Sequence, residues 1–248
     1  NELLDIAIKA ALKGGEEILK IYDGHIEVEM KDDKSPLTLA DKNAHIAIMS
    51  LLEKSEIPVL SEEGREISYN ERKNWSKLWI VDPLDGTKEF IKRNGEFTVN
   101  IALIENGVPI LGVIYVPVTG VLYFGDKENG SFKQIGSTKQ KLPIATERSS
   151  FVAVGSRSHM SPETETFFNK LKDQHGEIEV VSMGSSLKIC LVAEGIADVY
   201  PRYAPTMEWD TAAGHAIAKY ADKTFIDYTT GKEMRYNRPE LLNNWFTV

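Results

Sequence analysis

Apolar residues recur at positions 3, 4, 7, 8, 11, 12, 18, 19, 21 and 22, a helical stripe interrupted by Gly14-Gly15. The spacing predicts a core-facing helix that carries nothing catalytic. A charged stretch from Glu27 to Pro36 follows, in which Lys31-Asp32-Asp33-Lys34-Ser35-Pro36 reads as a mobile loop. Thr38 then caps a second helix, with an apolar stripe through Ile46, Met49 and Leu52. Beyond it the elements shorten. Ile57–Leu60, Leu78–Val81, Phe97–Glu105, Val108–Val116, Gly120–Phe124 and Ser131–Ile135 predict strands, with Asn106-Gly107 as a hairpin turn. Residues 1–140 therefore predict two helices and a mostly antiparallel sheet, an α+β half.

From Phe151 the rhythm changes. A strand at 151–154, a helix from Pro162 to Lys172, a strand at Ile178–Val181 and a helix over Ser186–Glu194 come in turn. A strand at Ala197–Tyr200, a helix over Thr211–Tyr220 and a short strand near Phe225 complete the pattern. Alternation of this kind predicts an α/β half over 141–248, with the boundary inside 136–150. No internal repeat or low-complexity segment is present.

Composition narrows the function. The net charge of −8 argues against a nucleic-acid surface held by backbone contacts. It also disfavours an anionic substrate, unless bound cations reverse the sign of the site. No apolar run reaches the ~18 residues of a membrane span, and no signal peptide is visible. The single cysteine, Cys190, sits in an apolar run; it rules out an internal disulfide and fits a reducing cytoplasm.

The densest chemistry lies in Trp79-Ile80-Val81-Asp82-Pro83-Leu84-Asp85-Gly86-Thr87. Two carboxylates and the free carbonyl of Leu84, at the end of a buried strand, suit a hard divalent cation such as Mg²⁺. Gly86 and Thr87 open a helical segment whose first amides suit a phosphate. Metal beside phosphate points to phosphate-ester hydrolysis. On its own the pentapeptide is equally an Asp-Pro-x-Asp-Gly surface turn.

Other candidates have ordinary explanations too. Asp41 reads as a carboxylate favoured by the helix macrodipole in a first turn. Glu62-Glu63 is a solvated loop, or a further metal carboxylate if its strand neighbours the one ending at Asp82. Asp210 reads as an N-cap of an Ala/Gly-rich helix, although that small-residue terminus could aim it at a shared metal cluster. Ser156-Arg157-Ser158-His159, Gly184-Ser185-Ser186-Leu187-Lys188 and Arg202 would together make a second anion pocket, with Lys188 a point charge and Arg202 a fork.

The order of Glu62-Glu63, the Trp79–Thr87 motif and Trp209-Asp210-x-Ala-Ala-Gly214 resembles the Mg²⁺-dependent, Li⁺-sensitive inositol monophosphatase superfamily, nearly end to end. The Gly155–His159 and Gly184–Lys188 segments look like its 3'(2'),5'-bisphosphate nucleotidase branch, which serves sulfate assimilation. The resemblance implies a layered αβαβα sandwich, as in inositol monophosphatases and fructose bisphosphatases. It implies that Glu62, Asp82, the Leu84 carbonyl, Asp85 and Asp210 hold two or three Mg²⁺ ions, and that Asp41 and Thr87 orient and deprotonate the attacking water. Gly86 and Thr87 would bind the phosphate. His159, Ser185, Lys188 and Arg202 would contact the nucleotide and its uncleaved phosphate. Glu63 receives no comparable role. The implied partner is a small nucleotide bisphosphate, in the cytoplasm, with peripheral attachment to the inner membrane and oligomeric state left open. The alternatives are an inositol or other sugar phosphatase and, in a different class, a non-catalytic nucleotide and metal sensor.

Overall fold

The computed structural model describes residues 1–24, 35–144, 147–156 and 160–248. Helices α1 (Glu2–Tyr22) and α2 (Pro36–Leu52) precede strand β1 (Val59–Ser61) and the single turn α3 (Tyr69–Arg72). Strand β2 (Lys77–Asp85) runs into the short helix α4 (Thr87–Lys92), and β3 (Thr98–Glu105) pairs back against it. The hairpin to β4 (Val108–Val116) turns at Asn106 and Gly107, both with positive φ, as the dipeptide predicts. Strands β5 (Val121–Asp126), β6 (Gly130–Ile135) and β7 (Thr138–Lys141) complete a seven-stranded sheet in sequential order. Only the β1–β2 pair is parallel.

Both faces of this sheet are covered. Trp79, Val81, Ile101 and Leu103 join a core with α1 and α2, whereas Leu78, Ile80, Ala102 and Ile104 face the other way. That second face packs on α6 (Leu187–Glu194) and α7 (Glu208–Lys219). Double coverage explains why these strands read as unbroken apolar runs rather than as alternation. Past α6 and α7 lies the small parallel pair β8 (Phe151–Val154) and β9 (Ile178–Val181), and then α5 (Pro162–His175), whose Phe168 and Leu171 pack on Ala153. The resulting order of layers is αβαβα. Two-residue strands β10 (Pro201–Arg202), β11 (Ile226–Asp227) and β12 (Phe246–Thr247) form a separate minor sheet.

Several expectations need correction. Gly14-Gly15 does not interrupt α1. A Cβ on Gly14 would lie 2.8 Å from Ile48 and one on Gly15 2.4 Å from Tyr115, so the pair is a notch that lets the helix approach α2 and β4. The cap of α2 is Ser35, whose hydroxyl accepts from Thr38 N–H, with Pro36 in the first turn; Thr38 itself lies one turn in. The buried face of α2 is Ala40, Ala44, Ile48 and Leu52, whereas Ile46 is 65% exposed. Small residues face the core there because the Gly14 notch brings α1 so near. In place of a strand at 197–200 there is an isolated bridge from Val199 to Ala153, followed by β10. Strands β7 and β12 are too polar or too short to have been predicted. The loop assigned to Lys31–Lys34 lies outside the described residues. Among the described residues, no helix is long and apolar enough to cross a membrane.

Helix α7 lies close on the sheet because its inner face is Ala212, Ala213 and Ala216. A Cβ on Gly112 of β4 would stand 2.4 Å from the Ala213 carbonyl oxygen and 2.9 Å from the Ala216 Cβ. Gly112→Ala is therefore expected to push α7 off the sheet and lower stability by ~1–3 kcal/mol. A denaturant titration reads this directly, and an unchanged midpoint would contradict the close approach.

Candidate active site

Parallel pairing of β1 with β2 places Ser61 opposite Val81, so Glu62, whose N–H donates to the Val81 carbonyl, emerges beside Asp82. The conditional reading of Glu62 as a neighbour of Asp82 is met. The β2–β3 register slips between Asp82 and Asp85, and this bulge contains Leu84. Asp82 Oδ1 accepts from Leu84 N–H at 3.2 Å. From the second half, α7 brings Asp210. It is not the N-cap: Met207 holds that position, and Asp210 sits three residues in, its Oδ2 accepting from Met207 N–H at 2.8 Å. This bond aims the carboxylate back along the helix axis. Oxygens of Asp82, Asp85 and Asp210 all lie within 4.8 Å of one another, and the Glu62 carboxylate is close enough to Asp82 to raise its pKa.

Four carboxylates crowded in a low-dielectric site suppress one another's ionisation. Burial first, then Asp85, Glu62 and Asp210, push the Asp82 carboxyl well above its usual range. Burial, and then Asp210, push Asp85 up to about 7 against the hydrogen bonds from Asn100 and Ser186. Burial likewise raises Glu62 and Asp210. An all-oxygen donor set with this much uncompensated acidity fits a hard divalent cation.

Asp41 of α2 lies near Glu62 and Glu63. It is 8% exposed, its Oδ1 has no hydrogen-bond partner, and burial, then Glu63 and Glu62, push it up to about 8. Asp41 is the sixth residue of α2, past its first turn, so the macrodipole explanation does not apply. Thr87 is the first residue of α4, and no hydrogen bond joins it to Asp41 among the described residues. Gly86, with φ +94°, turns the chain from the bulge into α4, and a Cβ there would meet Ser185 at 3.1 Å.

A cavity of about 420 Å³ is lined by Asp85, Gly86, Thr87 and Asp210 together with Ser185, Lys188 and Arg202. A second cavity of about 470 Å³ shares Lys188 and Arg202 and extends past Met160, Ser161 and Tyr203. Burial, then Arg202, lower the Lys188 pKa, which the neighbouring acids Asp85, Glu89 and Glu96 oppose. Arg202 Nε is buried without a partner. The Ser185 hydroxyl donates to the Glu96 carbonyl at 2.8 Å rather than into the cavity. His159 lies outside the described residues.

Sequence reading missed the support of Asp85. Its Oδ2 accepts from Asn100 Nδ2 at 3.2 Å and from Ser186 N–H at 2.8 Å. Asn100 Oδ1 in turn accepts from the hydroxyls of Thr98 and Ser186, both at 2.9 Å. The available signal was Thr98 and Asn100, two polar residues on one face of an otherwise apolar strand. Tyr200, which lines both cavities and whose phenol burial pushes up to about 12, gave no signal at all.

Residues 1–245 match the profile of the inositol monophosphatase family. The chain is 46% identical over 251 residues to the 3'(2'),5'-bisphosphate nucleotidase CysQ of Escherichia coli O6:H1, covering 99% of each chain. It is 42% identical to the CysQ of Buchnera aphidicola subsp. Acyrthosiphon pisum, over 99% of this chain and 93% of that one. The crystal structure of CysQ from Bacteroides thetaiotaomicron, a bacterial member of the inositol monophosphatase family, superposes with a TM-score of 0.90 at 54% identity. It covers 98% of this chain and 95% of its own.

Proposed function

From the chain's membership of the inositol monophosphatase family, shown by the match over 1–245, we infer a 3'(2'),5'-bisphosphate nucleotidase that is Mg²⁺-dependent and Li⁺-sensitive. It hydrolyses the 3'-phosphate of adenosine 3',5'-bisphosphate with water, giving adenosine 5'-monophosphate and inorganic phosphate. The observation that carries this reading is a cavity lined both by the carboxylates Asp85 and Asp210 of the acidic cluster and by the cations Lys188 and Arg202. Such a cavity suits a ligand with two phosphates, one reached through metal ions and one paired directly with protein cations.

Glu62, Asp82, the Leu84 carbonyl, Asp85 and Asp210 would hold two or three Mg²⁺ ions. Bound there, these supply Lewis-acid activation of water and neutralise charge on the phosphoryl and departing oxygens. The chain's own groups do the rest. Asp41 Oδ1, buried and free of other partners, takes the proton of the attacking water, with Thr87 orienting it. Amides of Gly86 and Thr87 add fixed donors to the transferred group. Lys188, Arg202 and His159 hold the nucleotide and its uncleaved phosphate, and Ser185 lines the same cavity with its hydroxyl turned to Glu96. In this division residues 1–140 supply most of the metal and phosphate site, and residues 141–248 add Asp210 and the nucleotide contacts. The setting is sulfate assimilation in the cytoplasm.

A phosphate-release panel tests the reading. Adenosine 3',5'-bisphosphate should outrun inositol 1-phosphate and fructose 1,6-bisphosphate by at least ~10-fold in kcat/KM, with Mg²⁺ required and Li⁺ inhibitory. Adenylyl sulfate 3'-phosphate belongs in the same panel. Lys188→Ala should raise KM for the bisphosphate ~10–100-fold, as loss of a charge-assisted phosphate contact does, with a smaller change in kcat. Equal rates on inositol 1-phosphate would point to a sugar phosphatase, and binding without release to a sensor.

A further inference from the structure

Asp85 stands where two systems meet, and the groups joining them have no assigned role. Its Oδ2 takes one donor from the sheet, Asn100 Nδ2, and one from the turn that precedes α6, Ser186 N–H. No described donor falls on Oδ1. Asn100, Thr98 and Ser186 close a ring behind the carboxylate, with Asn100 Oδ1 receiving both hydroxyls and the hydroxyl oxygens 2.8 Å apart. All three residues are at most 3% exposed. The turn Gly184–Ser186 leads directly to Lys188. It is not at rest: Ser185 has φ +51°, a conformation that costs a side-chain-bearing residue energy, and tertiary bonds hold it there. Those bonds are Gly184 N–H to Glu96 Oε2, the Ser185 hydroxyl to the Glu96 carbonyl, and Ser186 to Asp85 and Asn100.

We propose that Asn100, acting with Ser186, is a positioning residue that couples cation occupancy of the acidic cluster to the shape of the anion-binding turn Gly184–Lys188. The placement of Lys188 at the uncleaved phosphate rests on the function inferred above; the coupling itself does not. A cation among Asp82, Asp85 and Asp210 removes their mutual repulsion and fixes the Asp85 carboxylate. Its Oδ2 then holds the Ser186 amide, and Asn100 transmits the same constraint to the Ser186 hydroxyl. The strained turn is thereby set with Lys188 toward the cavity. Reciprocity requires that a ligand ordering the turn also tighten cation binding.

Amide hydrogen exchange over 184–188, in EDTA and in saturating Mg²⁺, reads the coupling without reference to substrate. Wild type should exchange about 10-fold more slowly in Mg²⁺, within the usual 5–150-fold range of such couplings. In Asn100→Leu, which leaves the Thr98 and Ser186 hydroxyls to each other, the ratio should fall below about 2 although Mg²⁺ still binds by calorimetry. Ser186→Ala, which keeps the amide and loses the hydroxyl, should give an intermediate ratio, and it carries the test if Asn100→Leu does not fold. A general loss of stability would speed exchange in both conditions and leave the ratio intact, so a wild-type ratio in both variants overturns the proposal. No Mg²⁺ effect in wild type does so as well. Adenosine 5'-monophosphate affinity, measured in parallel, should show the same pattern. If the nucleotide binds in neither condition while exchange responds to Mg²⁺, the substrate assignment fails and the coupling stands.

Discussion

Asp82→Asn is expected to reduce Mg²⁺-dependent phosphate release by more than ~10³-fold, beyond the ~10²–10³ that loss of one fixed transition-state donor costs. Asp82 is the most deeply buried acid of the cluster, 1% exposed, and lies within 4.8 Å, oxygen to oxygen, of Asp85 and Asp210. An amide there offers one neutral oxygen where the carboxylate offers two charged ones. Because the donor set as a whole assembles the cation site, its loss removes the catalyst rather than trimming it. The fold should survive, since the Asn oxygen can still accept from Leu84 N–H, the bond that Asp82 Oδ1 now takes. Retention of even a tenth of wild-type turnover in saturating Mg²⁺ would mean that the cation is held elsewhere. Calorimetric titration with Mg²⁺ would separate weakened binding from a defect in the chemical step.

What the sequence made legible divides along a physical line. The Asp82–Thr87 motif could be read because its chemistry is local: two acids, a proline and a glycine directly follow a buried strand. Asp210 was found as a candidate, yet its position in the helix was misjudged. An acid near a helix start suits the cap and the third position equally, and only the Met207 N–H bond decides between them. The face of α2 was misread for a different reason. A stripe of large apolar residues marks burial when helices sit at ordinary spacing, but α1 approaches through Gly14, so alanines are buried and Ile46 is turned to solvent. Asn100 and Ser186 are 86 residues apart in sequence, and nothing in either segment announces the other. The same holds for Thr87 and Arg202, which line one cavity and which only the tertiary fold makes neighbours. Acids and cations could be listed from sequence, but which carboxylates repel one another could not.

That repulsion sets the behaviour of the cation-free protein. In EDTA, stability is expected to fall as pH rises from about 6.5 to about 8. The Asp41 carboxyl is raised to about 8 and Asp85 to about 7, with Asp82 displaced the same way, in each case by burial first and neighbouring acids second. Unfolded, these groups ionise near pH 4. Between those values the folded chain binds more protons than the unfolded one, and stability declines with pH. Their stabilising contribution is complete below about pH 4 and is lost as pH passes through the folded values. Glu208, raised to about 7 by burial, works in the same sense. The half-buried ring of His45 and the buried ring of His215, both lowered by burial, gain stability as pH rises toward 6.5, so the decline is cleanest above that point. Glu233, pulled down to about 2 by His215, titrates far outside this window. A loss on the order of 3 kcal/mol is expected, since each proton contributes ~1.4 kcal/mol per pH unit. Saturating Mg²⁺ holds the cluster carboxylates ionised in the folded state, so its stabilising effect should grow with pH, and the difference between the two curves isolates the cluster from Glu208. Denaturant titrations at pH 6.5, 7.2 and 8.0, with EDTA and with Mg²⁺, read both slopes. Asp82→Asn should abolish the Mg²⁺ difference while leaving in place the part of the EDTA slope that Asp41, Asp85 and Glu208 set. An EDTA curve that is level or rising in wild type would mean that these carboxylates ionise freely, and that they do not share one confined site.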